Sequence, residues 1–381
     1  MSDISRLHLL VQQMHLEQAE DSECPQLTSK KQNGIYVSKA VLPNGKHISL
    51  LKTLLTSVCE RNCYYCPFRS GRDLRRASFK PDEFAKVFMY LYRINKIEGI
   101  FLSSGIVNGG ISSQDKLIDT AVILRKKYDY QGYLHLKIMP GAEYDQVEQA
   151  MLYADRISIN LEAPNTDRLV KLSPNKHFIT ELLTPIRWAQ EIRRDKEPDR
   201  AWKRKWPSTV TQFVVGGAGE SDLEILSTTD KLHKQMGLTR AYFSKFNPIP
   251  DTPLENHPPT PLIRQNRLYQ ASYLLRDYEF NLEELPFLEN GDLPLNMDPK
   301  LAWAIAHIND FDLIEVNNAP RKHLLKVPGF GPKSADIILK ARKVNKIRDL
   351  SELTKLGIKV KKAAPYILLD GRSPAKQARL F

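Results

Sequence analysis

Cysteine is scarce in this chain: four residues in 381, three of them within eight positions. So few and so clustered, they argue against a secreted disulfide framework and for a reducing, cytoplasmic setting. No apolar run approaches the length of a membrane span, and the N-terminus lacks a basic-then-apolar signal pattern. The expectation is a cytoplasmic protein with no membrane partner. Histidine is missing from the cysteine stretch and from the residues just after it. Acid is in deficit, with 44 Asp and Glu against 56 Lys and Arg and a net charge of +12. Most of that excess lies at one end, where Lys300 to Phe381 carries 17 Lys and Arg against 7 Asp and Glu. Concentrated positive charge is the footprint of a polyanion binder, although a solvated basic face would read the same.

The clustered cysteines are Cys59, Cys63 and Cys66, spaced C-x3-C-x2-C after an apolar run from Ile48 to Leu55. A strand-end loop of this kind brings three thiolates to one point. Soft thiolate sets select zinc or an iron–sulfur cluster. Structural zinc and ordinary clusters take four protein ligands. Here Cys24 stands far off in a polar segment and reads as a bystander. Three thiolates on a four-iron cluster leave one iron open for a small molecule. The bland alternatives are a zinc knuckle completed by a histidine, or unrelated buried thiols.

The rest of the chain alternates. Apolar segments near 48–55, 98–102, 132–138, 156–162, 210–215 and 241–244 read as strands, separated by helical patterns. Among the helices, one starting at Pro81-Asp82-Glu83 has proline and acids in its first turn. Such alternation predicts βαβ units and a parallel sheet. In the fourth strand, Ser158, Asn160 and Glu162 alternate with Ile157, Ile159 and Leu161, which places the polar three on one face. The segment 193–207 interrupts the alternation, with Trp202 and Trp206 among basic residues. It reads equally as a solvated insertion or as a nucleic-acid contact. Pro and Gly punctuate 286–299, where a domain boundary is expected.

The cysteine spacing, with Tyr65 before the last cysteine, resembles the radical S-adenosylmethionine (SAM) superfamily. The resemblance implies an α/β fold, an incomplete (β/α)6 barrel over 34–285, preceded by an N-terminal helix and linker over 1–33. It implies a 4Fe–4S cluster on Cys59, Cys63 and Cys66, with SAM on the open iron and its adenine against Tyr65. Ser104 and Gly105 stand where many members carry Gly-Gly-Glu, with Ile106 in place of the acid. Ser158, Asn160 and Glu162 are the implied contacts on the fourth strand. Gly217 and Glu220 match the apolar-x-Gly-x-x-Glu pattern of the fifth.

A second resemblance covers 286–381. Residues Leu324 to Ala335 are similar to a helix-hairpin-helix, in which Gly329 and Gly331 allow a tight turn and the helix from Pro332 offers free amides to a phosphate. Pro328, Gly329, Phe330, Gly331, Lys333 and Ser334 are the implied DNA contacts. Residues 350–366 look like a degenerate partner hairpin, giving a small all-α domain. Lys333 is read as a phosphate contact rather than a nucleophile.

Together these resemblances imply a radical SAM enzyme acting in DNA modification or repair. One electron, from a donor such as flavodoxin or ferredoxin, would cleave SAM, and the resulting deoxyadenosyl radical would abstract hydrogen from the substrate. A nucleic-acid-processing partner protein fits the same picture. Two alternatives stay open: an RNA base-modifying enzyme with the same chemistry, and a DNA-binding iron–sulfur redox sensor without SAM chemistry.

Overall fold

The computed structural model describes residues 2–14, 30–32, 35–41, 45, 47–307 and 313–374. Cys24 lies outside them. The chain divides into two compact units. One comprises Met1–Glu220 and Lys231–Pro261, the other Ser221–Asp230 and Leu262–Phe381.

The first unit opens with helix α1 (Asp3–Gln13), capped by the Ser2 side chain and burying Leu7, Leu10 and Val11. Strands β1 (Lys30–Gln32), β2 (Ile35–Val41) and β3 (His47–Leu54) pair antiparallel in sequence. From β3 onward every pairing is parallel, through β4 (Gly99–Ser103), β5 (Tyr133–Lys137), β6 (Arg156–Ser158), β7 (Ser208–Val215) and β8 (Arg240–Lys245). The sheet order follows the chain, and β8 does not return to β1. Six parallel strands in chain order form an open, partial barrel, as expected. The intervening helices are α2 (Pro81–Arg93), α3 (Gly109–Val122), α4 (Tyr144–Tyr153), α5 (Thr166–Leu172), α6 (Thr184–Asp195) and α7 (Asp222–Met236).

Local chemistry sets these boundaries. α2 begins where Pro81 fixes the first helical φ, and the Glu83 carboxylate accepts from the Lys80 amide at 3.1 Å. Phe84, Phe88 and Leu91 fall on one face and are buried, each worth roughly 1.5–3 kcal/mol. β4 is buried on both faces, as a parallel strand covered by helices must be. β6 is shorter than the alternation predicts. After Ser158 the Thr211 hydroxyl takes over, donating to the Ile159 carbonyl at 2.7 Å and accepting from the Leu161 amide at 3.1 Å. This side-chain bracket replaces ladder bonds, and the chain leaves the regular strand before Glu162.

The 193–207 insertion is pinned at the end of the sheet where the strands begin. Trp202 packs on the Arg125 guanidinium at 3.9 Å, and the Trp206 indole donates to the Lys196 carbonyl at 3.0 Å. Both tryptophans are thus engaged within the protein.

The second unit contains α8 (Leu262–Asp277), α9 (Pro299–Ala306), β9 (Ile314–Glu315), α10 (Arg321–Lys326), α11 (Pro332–Ala341), α12 (Leu350–Lys355) and β10 (Ile367–Leu368). Its core includes Val316, Leu325, Phe330, Ile338, Leu353 and Ile367. It is not purely helical, since β9 and β10 pair parallel. Two residues after α12, Gly357 takes a left-handed φ of +78°. Among the described residues no helix is long and apolar enough to cross a membrane.

Candidate active site

The cysteine loop follows β3, at the carboxyl ends of the parallel strands, where barrel chemistry is sited. Protein groups hold it in shape. The Glu60 carboxylate accepts from the amides of Asn108 and Gly109 at 3.0 and 3.1 Å, capping α3. The Glu60 amide donates to the Ile106 carbonyl at 2.9 Å, and the Tyr64 amide to the Leu172 carbonyl at 2.8 Å. The Arg76 guanidinium donates to three carbonyls, those of Ser57, Phe68 and Arg69. Arg61 donates to the Asn175 carbonyl and pairs with Glu181 at 2.7 Å. Gly105 is required by space: a Cβ there would lie 2.0 Å from the Val58 carbonyl oxygen, beside Cys59.

All three thiols line one cavity of about 270 Å³. The Cys59 sulfur accepts from the Ile106 amide at 3.5 Å, and Cys63 lies 3.1 Å from the Ser173 hydroxyl. Burial, and then the neighbouring Cys63, push the Cys66 thiol up. Among the described residues no three His, Cys, Asp or Glu side chains converge on a single-ion site.

Of the sequence-predicted contacts, Tyr65, Ser104, Gly105, Asn160 and Glu162 line the cavity. Ser158 does not; its hydroxyl is buried deeper in the barrel and has no partner. Gly217 and Glu220 are also away from it. A Cβ on Gly217 would meet Leu172 and Phe246 at 2.9 Å, so this glycine serves close packing. The Glu220 carboxylate accepts from the amides of Gly216 and Ala218 and braces the glycine-rich turn.

Glu162 is held with φ +64°, in the left-handed region that costs a side-chain-bearing residue energy. Neighbours enforce it: the Glu162 amide donates to the Gln212 carbonyl at 2.9 Å, and the Val214 amide to the Glu162 carbonyl at 2.8 Å. One carboxylate oxygen meets Lys176 at 3.2 Å, while the other, Oε2, is buried without a partner.

Lys176 is the residue that sequence reasoning missed. Its ammonium donates to the Tyr65 hydroxyl at 3.0 Å as well as to Glu162. Burial works against its charge, but Cys63, Glu162 and Cys66 outweigh that and hold it above the ordinary lysine value. Burial, then Glu162 and the thiols, likewise push the Tyr65 phenol well up. The Ser-Pro-Asn-Lys turn after α5 carries no periodicity, so nothing in the sequence marked it.

In the second unit, Val327–Gly331 joins α10 to α11. Gly329 has φ +89° and needs the freedom of glycine. Gly331 is extended, at φ −109°, contrary to expectation; its constraint is the Tyr278 hydroxyl, 3.2 Å from where a Cβ would stand. Pro328, Phe330, Lys333 and Ser334 lie along the same turn and first helical turn, with Phe330 buried beneath.

The sequence model of the radical SAM superfamily matches residues 53–232. Its members are enzymes that use a 4Fe–4S cluster and SAM. An uncharacterised protein of Methanocaldococcus jannaschii is 24% identical over 242 residues, 60% of this chain and 58% of that protein. The chain therefore spans less than two thirds of that relative. Among solved structures, methylornithine synthase matches with TM-score 0.47 at 12% identity, over 59% of this chain and 61% of its own. A radical SAM methyltransferase from Sphaerobacter thermophilus gives 0.44 at 15%, over 63% and 70%. The FeFe-hydrogenase maturase of Carboxydothermus hydrogenoformans gives 0.45 at 14%, over 59% and 51%. Likeness this distant carries nothing about substrate.

Proposed function

We propose that this protein is a radical SAM enzyme that acts on nucleic acid, DNA before RNA. The observation that carries the chemistry is the shared cavity of three cysteines and the Glu162–Lys176 pair. The thiolates would hold the cluster, which when bound supplies the electron that breaks the sulfonium bond of SAM. The protein's own groups fit the rest of that cofactor. Lys176 would pair with its carboxylate, the unpartnered Oε2 of Glu162 would accept from its ammonium, and Tyr65 would offer a ring beside Cys66. An electron donor of the flavodoxin or ferredoxin type is required.

The nucleic-acid part rests on the second unit. The charge excess of its sequence and the α10–α11 turn, with Gly329 left-handed and Lys333 in the first turn of α11, suit a backbone-directed helix-hairpin-helix contact. The test is direct. Anaerobically reconstituted protein should hold one 4Fe–4S cluster and release deoxyadenosine from SAM on reduction, and Cys63→Ala should abolish both. Iron retained by the triple alanine variant, or SAM left intact by reduced wild type, defeats the chemistry. Duplex DNA, single-stranded DNA and structured RNA are then compared for binding. Clear preference for RNA moves the target, and binding to none removes it.

A further inference from the structure

The cavity beside the cysteines has an inner wall that is polar beyond what the cofactor contacts account for. Gln212 on β7 and Lys137 on β5 are 6% and 7% exposed, and both line it. No hydrogen-bond partner for the Gln212 carboxamide is found among the described residues, and its residue's backbone oxygen is already taken by Glu162. Lys137 pairs in register with Ser158, whose hydroxyl is also buried and unpartnered. The Gln212 carboxamide reaches the cavity without a protein partner, beside Lys137, which lines the same wall and lies near the Phe101 ring, and so offers a polar occupant a donor and an acceptor. The surrounding wall is apolar, with Phe68, Met139, Val214 and Phe246.

We propose that Gln212 and Lys137 form a substrate-reading subsite inside the barrel, and that it takes the carbonyl-bearing edge of a nucleobase. A carboxamide presents one donor and one acceptor in a plane, the complement of a base edge. A lysine adds donors only, which selects an edge with a carbonyl or ring-nitrogen acceptor. Apolar walls suit the faces of a flat ring. This rests on the nucleic-acid reading above only for how the base arrives, as a nucleotide extruded from its strand.

The probes are the four deoxynucleosides, measured by equilibrium dialysis against the full-length, cluster-reconstituted, SAM-loaded protein. Thymidine and deoxyguanosine should bind more tightly than deoxyadenosine. Gln212→Leu should weaken them about tenfold, the effect of losing one such bond. Gln212→Glu keeps an acceptor and loses the donor, so it should turn preference toward the amino-bearing deoxyadenosine and deoxycytidine. A reversal of preference cannot come from misfolding, and iron content reports that the cysteine loop still assembles. Equal binding by wild type and both variants, or no nucleoside binding by wild type, overturns the subsite. Polymer binding is measured in parallel. DNA bound without nucleosides overturns the subsite and leaves the nucleic-acid reading standing. Nucleosides bound through Gln212 without any polymer support the subsite and overturn the polymeric target.

Discussion

Single side chains decide what the cavity can hold, and Glu162 with Lys176 is the clearest case. Each makes charge-assisted hydrogen bonds in a buried place, where one bond is worth about 1.5–3 kcal/mol. Glu162→Gln and Lys176→Met should each weaken SAM binding about tenfold or more, with iron content normal. The double variant should lose less than the sum, because the two share one network. Unchanged SAM affinity in both would place the pair outside the cofactor site. Lys300 gives a different test. Its ammonium donates to the Phe330 carbonyl at 2.5 Å and lies 4.6 Å from the Tyr278 ring. Burial pushes it down to about 7, with Asp298 opposing and Lys326 adding to the fall. An unfolded lysine titrates near ~10.4. Between those values the unfolded chain holds a proton that the folded one lacks, so stability rises with pH there and is lowest below about 7, by about 1.4 kcal/mol per pH unit. Urea midpoints followed by tryptophan fluorescence should climb from pH 7 to 9.5, and Lys300→Met should flatten that climb. An equal slope in the variant would show that Lys300 is not the titrating group. Legibility at this scale was uneven. The cysteines were plain because their spacing is local. Lys176 was hidden because it reaches the cavity only through the turn after α5. Glu220 was misleading because an acid after glycines can brace the turn as well as face a ligand.

Elements carry the next constraint. Ser103-Ser104-Gly105 ends β4 against the backbone before Cys59, and no side chain fits at position 105. Gly105→Ala should therefore cost iron retention although it removes no ligand. Normal iron content in a folded Gly105→Ala protein, checked by circular dichroism, would mean the strand end can shift without disturbing the loop. The six parallel strands were legible from apolar runs of strand length between helical patterns. The early end of β6 was not, because it depends on the Thr211 hydroxyl of the neighbouring strand. Arg76 spends its guanidinium on backbone carbonyls around the cysteine loop, a role that no local pattern in the sequence marks. The Gly331 conformation was also illegible, since either glycine of Gly-Phe-Gly could have carried the positive φ.

At the scale of the whole molecule, the proposed function gives cofactor chemistry and polyanion binding to separate units of the chain. Binding of duplex DNA should be steeply salt-dependent and largely indifferent to sequence, because backbone contacts release counterions. Lys333→Ala should lower the log–log salt slope by roughly one; an unchanged slope would remove Lys333 from the contact. The braced cysteine loop has a consequence of its own for the life of this protein in air. Small zinc domains collapse without their metal because the metal is their core. Here Arg76 takes three backbone carbonyls around the loop, the Glu60 and Tyr64 amides bond to the Ile106 and Leu172 carbonyls, and the barrel has an apolar core of its own. Stripping the cluster should leave the melting temperature nearly where it was. An oxygen-damaged molecule is then an empty but intact scaffold, ready to be recharged rather than degraded.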